Sequence, residues 1–141
     1  MQEEKHKEAL KEVMDTIEEA LNSRDISQHQ RRLISMLSIG LQHVVEVYLH
    51  RLKVIKPGVQ VKHNWFALGE RNIRLKFSSI LTKPYDKIPE INDIVSLARN
   101  IEIDRNDILY GSPTVDNAKL KEKIDNFLEI KKIVEKTGEI S

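Results

Sequence analysis

The sequence predicts an all-α fold, an up-and-down bundle of four long helices with one short additional helix. Apolar residues recur three and four positions apart through most of the chain, as along the buried face of a helix. No stretch shows the sustained apolar–polar alternation of a half-buried strand. The 141 residues include only five glycines and four prolines, mostly where the helical pattern breaks. We therefore expect one helical-bundle domain over residues 1–141.

The first two predicted helices cover residues 4–21 and 26–54. Asp25 is a good N-cap for the second helix, and Gln28 follows three positions later, as in a capping box. Apolar residues surround most of this helix, which is typical of a central bundle helix or of a dimer interface. Small residues that permit close helix approach occur at Ser35, Ser38 and Gly40.

A short third helix is expected after a break in the chain. Lys56-Pro57-Gly58 ends the second helix, and residues 59–61 fit an extended connector. Asn64 is a candidate N-cap for a helix that reaches Phe77.

Prolines and a glycine delimit the last two predicted helices. Helix four covers residues 89–109, with Pro89 in its first turn and Gly111 as its stop. Helix five covers residues 114–136, with Thr114 as its candidate N-cap.

The composition fits a soluble protein of the cytoplasm. The chain has no cysteine, which excludes disulfides and thiolate metal sites, and its formal net charge is +1. No apolar run reaches the roughly 18 residues of a membrane span, and the charged N-terminus is unlike a signal peptide. No glycine-rich phosphate loop is present, which excludes a P-loop hydrolase.

The charges are unevenly distributed. Residues 51–83 contain eight lysines and arginines but only one acidic residue, Glu70. The first helix, in contrast, is rich in acidic residues. This division fits a basic, nucleic-acid-binding side, and it equally fits solvated faces of opposite sign. The predicted nucleic-acid contacts are Arg51, Lys53, Arg71 and Arg74.

Arg105 does not fit the core face of predicted helix four. In a helical projection it falls in the middle of the apolar face formed by Ile91, Ile94, Ala98, Ile101 and Leu109. Burial of an unpaired guanidinium would be very costly. Arg105 therefore pairs with an acidic residue of another helix, lies at the mouth of the bundle, or binds a ligand phosphate.

The stretch around Arg105 resembles the signature helix of the HEPN family (higher eukaryotes and prokaryotes nucleotide-binding domain). That family has an arginine, usually followed by a polar residue, and then a histidine a few positions later. Arg105 and Asn106 resemble the first half of this motif, and Tyr110 stands at a histidine position. The long apolar second helix and His63 also resemble HEPN segments, so that the similarity extends over roughly residues 26–135.

The resemblance implies a domain that binds RNA or nucleotide. Many members are metal-independent endoribonucleases that act as homodimers, often as toxins paired with a nucleotidyltransferase-type partner protein. In such cleavage, histidine moves protons and arginine stabilises the phosphate. With tyrosine at the histidine position, either Arg105, Asn106 and Tyr110 are the catalytic residues, or catalysis is lost and the domain only binds. A homodimer is expected, and the alternative function is a non-catalytic helical protein–protein module with Arg105 in a structural ion pair.

Two further groups of residues have both a functional and a structural interpretation. His43, Glu46 and His50 lie on one side of the second helix, where they can hold a metal if another helix supplies a ligand, or form a polar stripe. No second helix repeats this pattern, so we predict no metal site and no cofactor. Glu46 is also a candidate partner for Arg105. The adjacent aromatic residues Trp65-Phe66 fit a base-stacking platform or, more simply, the core.

Overall fold

The computed structural model describes residues 3–111 and 115–140. It confirms the predicted all-α bundle: these residues form five α-helices and no strand, and Ile55 and Leu81 make one isolated antiparallel bridge. The helices are α1 (Glu3–Leu21), α2 (Gln30–Arg51), α3 (Glu70–Ile80), α4 (Ile91–Glu102) and α5 (Asn117–Ile140).

Helix α2 is the centre of the bundle. It packs against α1 and α5, and α5 also packs against α4. Gly40 permits a close approach among these helices, because a Cβ atom there would lie 2.7 Å from Cε1 of Phe127 and 3.0 Å from Cγ1 of Val13. The small residue that the sequence offered at this position therefore sets the spacing of α1, α2 and α5.

The ends of α2 differ from the prediction. Asp25 is an N-cap, but for a short 3₁₀ helix, Ile26–His29, that precedes α2. The helix ends at Arg51, before the expected Pro57 break. Lys53 has a left-handed φ of 60°, its N–H donates to the carbonyl of His50, and the N–H of Val54 donates to that of Leu49. These two bonds form a Schellman motif, which ends the helix by satisfying its last carbonyls.

The predicted third helix is divided in two. A 3₁₀ helix, His63–Ala67, precedes α3, so that Asn64 lies inside a 3₁₀ turn and Gly69 occupies the N-cap position of α3. Phe66 is fully buried. The half-buried Trp65 meets Phe77 edge to face, with ring centroids 5.6 Å apart. Phe66 therefore belongs to the core, as the simpler interpretation expected, whereas Trp65 packs against the core and keeps part of its ring exposed.

Helix α4 is much shorter than the predicted 89–109. Pro89 precedes the helix, and Glu90 at its N-cap has a left-handed φ of 58°. At the other end, Ile103 is extended and Asp104 has a left-handed φ of 65°. The chain then forms one π-helical turn, Asp107–Gly111.

A lysine from α5 explains the early end of α4. The Nζ of Lys123 donates to the carbonyls of Asn100, Ile101 and Ile103 over 2.6, 3.1 and 2.9 Å. A charged donor at these carbonyls replaces the intrahelical bonds that a longer helix would have made. Arg105 therefore does not continue the apolar face of α4. The predicted cap Thr114 lies outside the described residues, and α5 continues beyond the expected residue 136.

The apolar surface of α2 is used within the chain. The segment Ile26–Arg51 is long and apolar enough to span a membrane, but 67% of its most apolar window is buried in the bundle, as in the core helix of a soluble protein. Contacts of α2 with α1 and α5 cover most of its apolar residues. The homodimer stays a prediction, and it now depends on the family resemblance alone. The exposed large hydrophobic residues in the described part are Leu21, Ile39, Leu75, Ile103 and Tyr110.

Candidate functional site

An open cleft lies where the break after α4 meets the 3₁₀ turn His63–Ala67. Its volume is about 540 Å³. Seven of its nine lining residues are of polar or charged types, and the lining is formed by His63, Asn64, Ala67, Glu102, Ile103, Asp104, Arg105, Asn106 and Asp107. We call it the Glu102 cleft.

The carboxylate of Glu102 lies between two nitrogen-bearing side chains of the cleft, those of His63 and Arg105. The Glu102 side chain is only 2% exposed, and its Oε1 lies 3.1 Å from Nδ1 of His63. Its Oε2 lies 3.9 Å from Nε of Arg105. The hydroxyl of Ser38 donates to Glu102 and accepts a hydrogen bond of 2.8 Å from Nε of Arg105. A buried carboxylate thus holds an imidazole and a guanidinium at one cleft.

Helix α2 positions both walls of this cleft. Oε1 of Gln42 accepts the backbone N–H of His63 at 2.9 Å. The buried Gln30 donates to the carbonyl of Ile108 in the π-helical turn and accepts the backbone N–H of Val115 at 2.9 Å. These side-chain-to-backbone bonds fix two segments that have few backbone bonds of their own.

Burial also affects the protonation of Glu102. Desolvation raises the pKa of its carboxyl group above the ordinary 4.5, although His63, Ser38 and Arg105 act in the opposite direction. The folded protein therefore binds a proton at Glu102 more tightly than the unfolded chain does. The stability contributed by this group is fully present below pH 4.5 and is lost as the pH rises through the folded-state pKa.

We expect Glu102→Gln to gain stability relative to the parent protein as the pH rises from about 4.5 toward neutrality. Glutamine cannot ionise, so the variant lacks the cost of a buried negative charge. Urea unfolding of both proteins across this pH range measures the difference, from which the titrating groups that do not contact Glu102 cancel. A difference that is independent of pH would contradict the argument.

The structure brings together only part of the predicted catalytic set. Arg105 and Asn106 line the Glu102 cleft, and the Arg105 side chain is 21% exposed. Tyr110 is 81% exposed and is not among the residues that line the cleft. His63 and Glu102 complete the cleft instead, and neither was a predicted site residue. The only sequence signal for Glu102 was its position three residues before Arg105, on the same face of a helix.

The four predicted nucleic-acid contacts lie apart from the described lining of the Glu102 cleft. Arg51 is half-buried and donates to the carbonyl of Val134 at 3.2 Å. Arg74 is 2.7 Å from Asp86 and lies over the ring of Tyr85, with its Cζ 4.8 Å from the ring centroid. The other two, Lys53 and Arg71, are exposed.

Glu46 is not the partner of Arg105. Its Oε1 accepts the backbone N–H of Val61 at 2.8 Å, and its Oε2 lies 3.6 Å from Nε2 of His6. The carboxylate that faces Arg105 belongs to Glu102, from the preceding helix. Arg105 therefore lies at a cleft, as one of the three sequence interpretations expected, but its acidic neighbour is three residues earlier in the chain and not on a separate predicted helix.

No protein-family model, curated protein or solved structure matches this chain.

Proposed function

We propose that the protein is a HEPN-like domain that binds RNA or nucleotide phosphate in the Glu102 cleft. We further propose that His63 supplies the imidazole that Tyr110 cannot supply at the motif position. One observation supports both statements: His63 and Arg105 contact the two oxygens of the same buried carboxylate.

This arrangement suits metal-independent cleavage beside a 2′-hydroxyl. A hydrogen bond from Nδ1 of His63 to Glu102 favours the tautomer with its proton on Nδ1, so that Nε2 is free to accept a proton. The guanidinium of Arg105 can donate to a phosphate oxygen through its Nη atoms, because Nε is bonded to Ser38. The amides of Asn64 and Asn106 provide further donors.

Two of the three acidic residues that line the cleft, Asp104 and Glu102, have cationic or protonatable neighbours, and the third, Asp107, is exposed. Asp104 forms an ion pair with Lys119, with 2.7 Å between Oδ2 and Nζ. Glu102 has a raised pKa and lies beside two cationic or protonatable groups. The proposal includes a homodimer that combines two clefts, and a nucleotidyltransferase-type partner in a toxin–antitoxin pair.

We expect the parent protein to cleave single-stranded RNA in the presence of EDTA, and His63→Ala and Arg105→Ala to lower the rate by about 100-fold or more. Tyr110→Phe is expected to retain the parent rate, because Tyr110 is outside the cleft lining. Gel assays with a labelled oligonucleotide measure the rates, and fluorescence anisotropy measures binding. Lys132→Ala serves as the control, since it removes an exposed cation of α5 that is neither in the cleft lining nor among the predicted nucleic-acid contacts.

The variants separate the possible sites. If Tyr110→Phe loses cleavage and His63→Ala retains it, the catalytic residue is Tyr110, at the motif position, and not His63. If the parent protein cleaves no RNA but binds it, and Arg105→Ala weakens that binding at least about fivefold more than Lys132→Ala, the cleft is a binding site without catalysis. If the parent neither binds nor cleaves RNA or nucleotide, the proposed function is wrong.

The second candidate function is a helical protein–protein module. It is favoured by the contacts of Arg105 with Ser38 and Glu102, which satisfy a structural role without any ligand. In that case Arg105→Ala should lower the melting temperature while the protein shows no affinity for RNA or nucleotide.

A further inference from the structure

A second group of polar side chains meets where α1 crosses α2. His6 of α1 is fully buried, and its Nδ1 lies 2.8 Å from Nδ1 of His43 in α2. Its Nε2 lies 3.6 Å from Oε2 of Glu46, which is 5% exposed. One candidate ligand atom from each of these three residues lies within 4.8 Å of the others. None of the three lines the Glu102 cleft.

The geometry of α2 and a backbone bond orient this group. His43 and Glu46 are three positions apart, so that they share one face of the helix. Oε1 of Glu46 is fixed by the N–H of Val61 at 2.8 Å, while Oε2 faces His6. An outer hydrogen bond of this kind fixes the orientation of a ligating carboxylate. His50 lies beside the group, with its ring centroid 5.9 Å from that of His6.

A zinc ion would draw these ligand atoms closer together. Zinc bonds to imidazole nitrogen and carboxylate oxygen are about 2.0–2.2 Å long, which places tetrahedral ligand atoms about 3.3–3.6 Å apart. One atom from each of the three residues already lies within 4.8 Å of the others, so that side-chain rotations have to shorten these separations by about 1.5 Å at most. Nitrogen ligands favour zinc over calcium or magnesium, which prefer oxygen.

The burial of the group also favours a cation. His6 is fully buried and Glu46 is only 5% exposed, so that an ionised carboxylate there is costly unless a positive charge lies beside it. A divalent ion held by Glu46 and the two imidazoles would supply that charge.

We propose that His6, His43 and Glu46 form a binding site for a zinc ion, which joins α1 to α2 and stabilises the bundle. The sequence alone offered His43 and Glu46 but no ligand from a second helix. The fold supplies that ligand in His6. This site is independent of the RNA-binding proposal.

We expect the full-length protein, stripped of metal with a chelator, to bind one Co²⁺ or Zn²⁺ per chain. Co²⁺ should give the visible absorption of a nitrogen–oxygen site, and Zn²⁺ should abolish that absorption. Zn²⁺ at about 100 times its Kd is expected to raise the melting temperature by about 5–10 °C. Titration followed by absorption and thermal unfolding followed by circular dichroism measure these effects.

Three single variants locate the site. His43→Gln and Glu46→Gln should each weaken Co²⁺ binding at least about tenfold. Glutamine at position 46 keeps an oxygen acceptor for the N–H of Val61, so that this hydrogen bond is preserved. The control is His29→Gln, which removes a half-buried histidine outside the group and should bind Co²⁺ like the parent.

Nitrogen-15 NMR of the histidine side chains is a measurement that needs no variant. Addition of Zn²⁺ should shift the ring nitrogens of His6 and His43, and leave those of His29 and His63 unchanged. The proposal is wrong if the parent protein binds no stoichiometric metal, if all three variants bind it equally, or if the shifts occur at His63 instead.

Discussion

Replacing Lys123 with methionine is expected to lower the free energy of unfolding by about 2–4 kcal/mol. The ammonium group of Lys123 donates to three carbonyls at the end of α4, and the residue is only 3% exposed. Methionine fills a similar volume but donates no hydrogen bond. The carbonyls of Asn100, Ile101 and Ile103 would then lose a charged donor in a site that water reaches poorly.

Urea unfolding followed by circular dichroism measures this loss, and Lys121→Met provides the matched control. Lys121 lies on the same helix, and its side chain is 59% exposed in an ion pair with Asp125. Its replacement should change the stability by no more than about 0.5 kcal/mol. If both variants are equally stable, the hydrogen bonds of Lys123 contribute little and the end of α4 has another cause.

Gly40→Val is expected to lower the free energy of unfolding by about 3 kcal/mol, through overpacking of the bundle. A Cβ atom at this position would lie 2.7 and 2.9 Å from two atoms of the Phe127 ring, which is itself fully buried. Glycine inside a helix costs about 1 kcal/mol relative to alanine, so its presence at the centre of α2 is explained by this close contact. Neither α2 nor α5 can move away without opening the core.

Thermal or urea unfolding tests this prediction, with Gly69→Ser as the control. A Cβ atom at Gly69 meets nothing within 4 Å, and serine is favoured at an N-cap, so this variant should be about as stable as the parent. The double variant Gly40→Val/Phe127→Leu should lose less stability than the sum of the losses of the two single variants, because leucine lacks the ring atoms nearest to Gly40. Strictly additive losses would show that the strain is not at Phe127.

The sequence alone determined the class of the fold and the position of most helices. The apolar spacing in α1 and α2 is a local property, because a helix repeats its buried face every three to four residues wherever it packs. Asp25 was recognised as a cap for the same reason, since its side chain bonds to a backbone N–H two residues away. Arg105 was recognised as unusual, because a guanidinium is incompatible with an apolar face unless it has a partner.

The tertiary structure decided where α4 ends and which residues share a site. The apolar pattern continues from Ile101 to Leu109, but the chain leaves the helix at Ile103 because Lys123, twenty positions later, bonds to its carbonyls. His63 meets Glu102 across 39 positions, and His6 meets His43 across 37. Periodicity shows which face of a helix is buried, but it does not show which side chain of a distant element lies opposite that face. The electrostatics of the Glu102 cleft and of the group formed by His6, His43 and Glu46 depend on those opposite side chains.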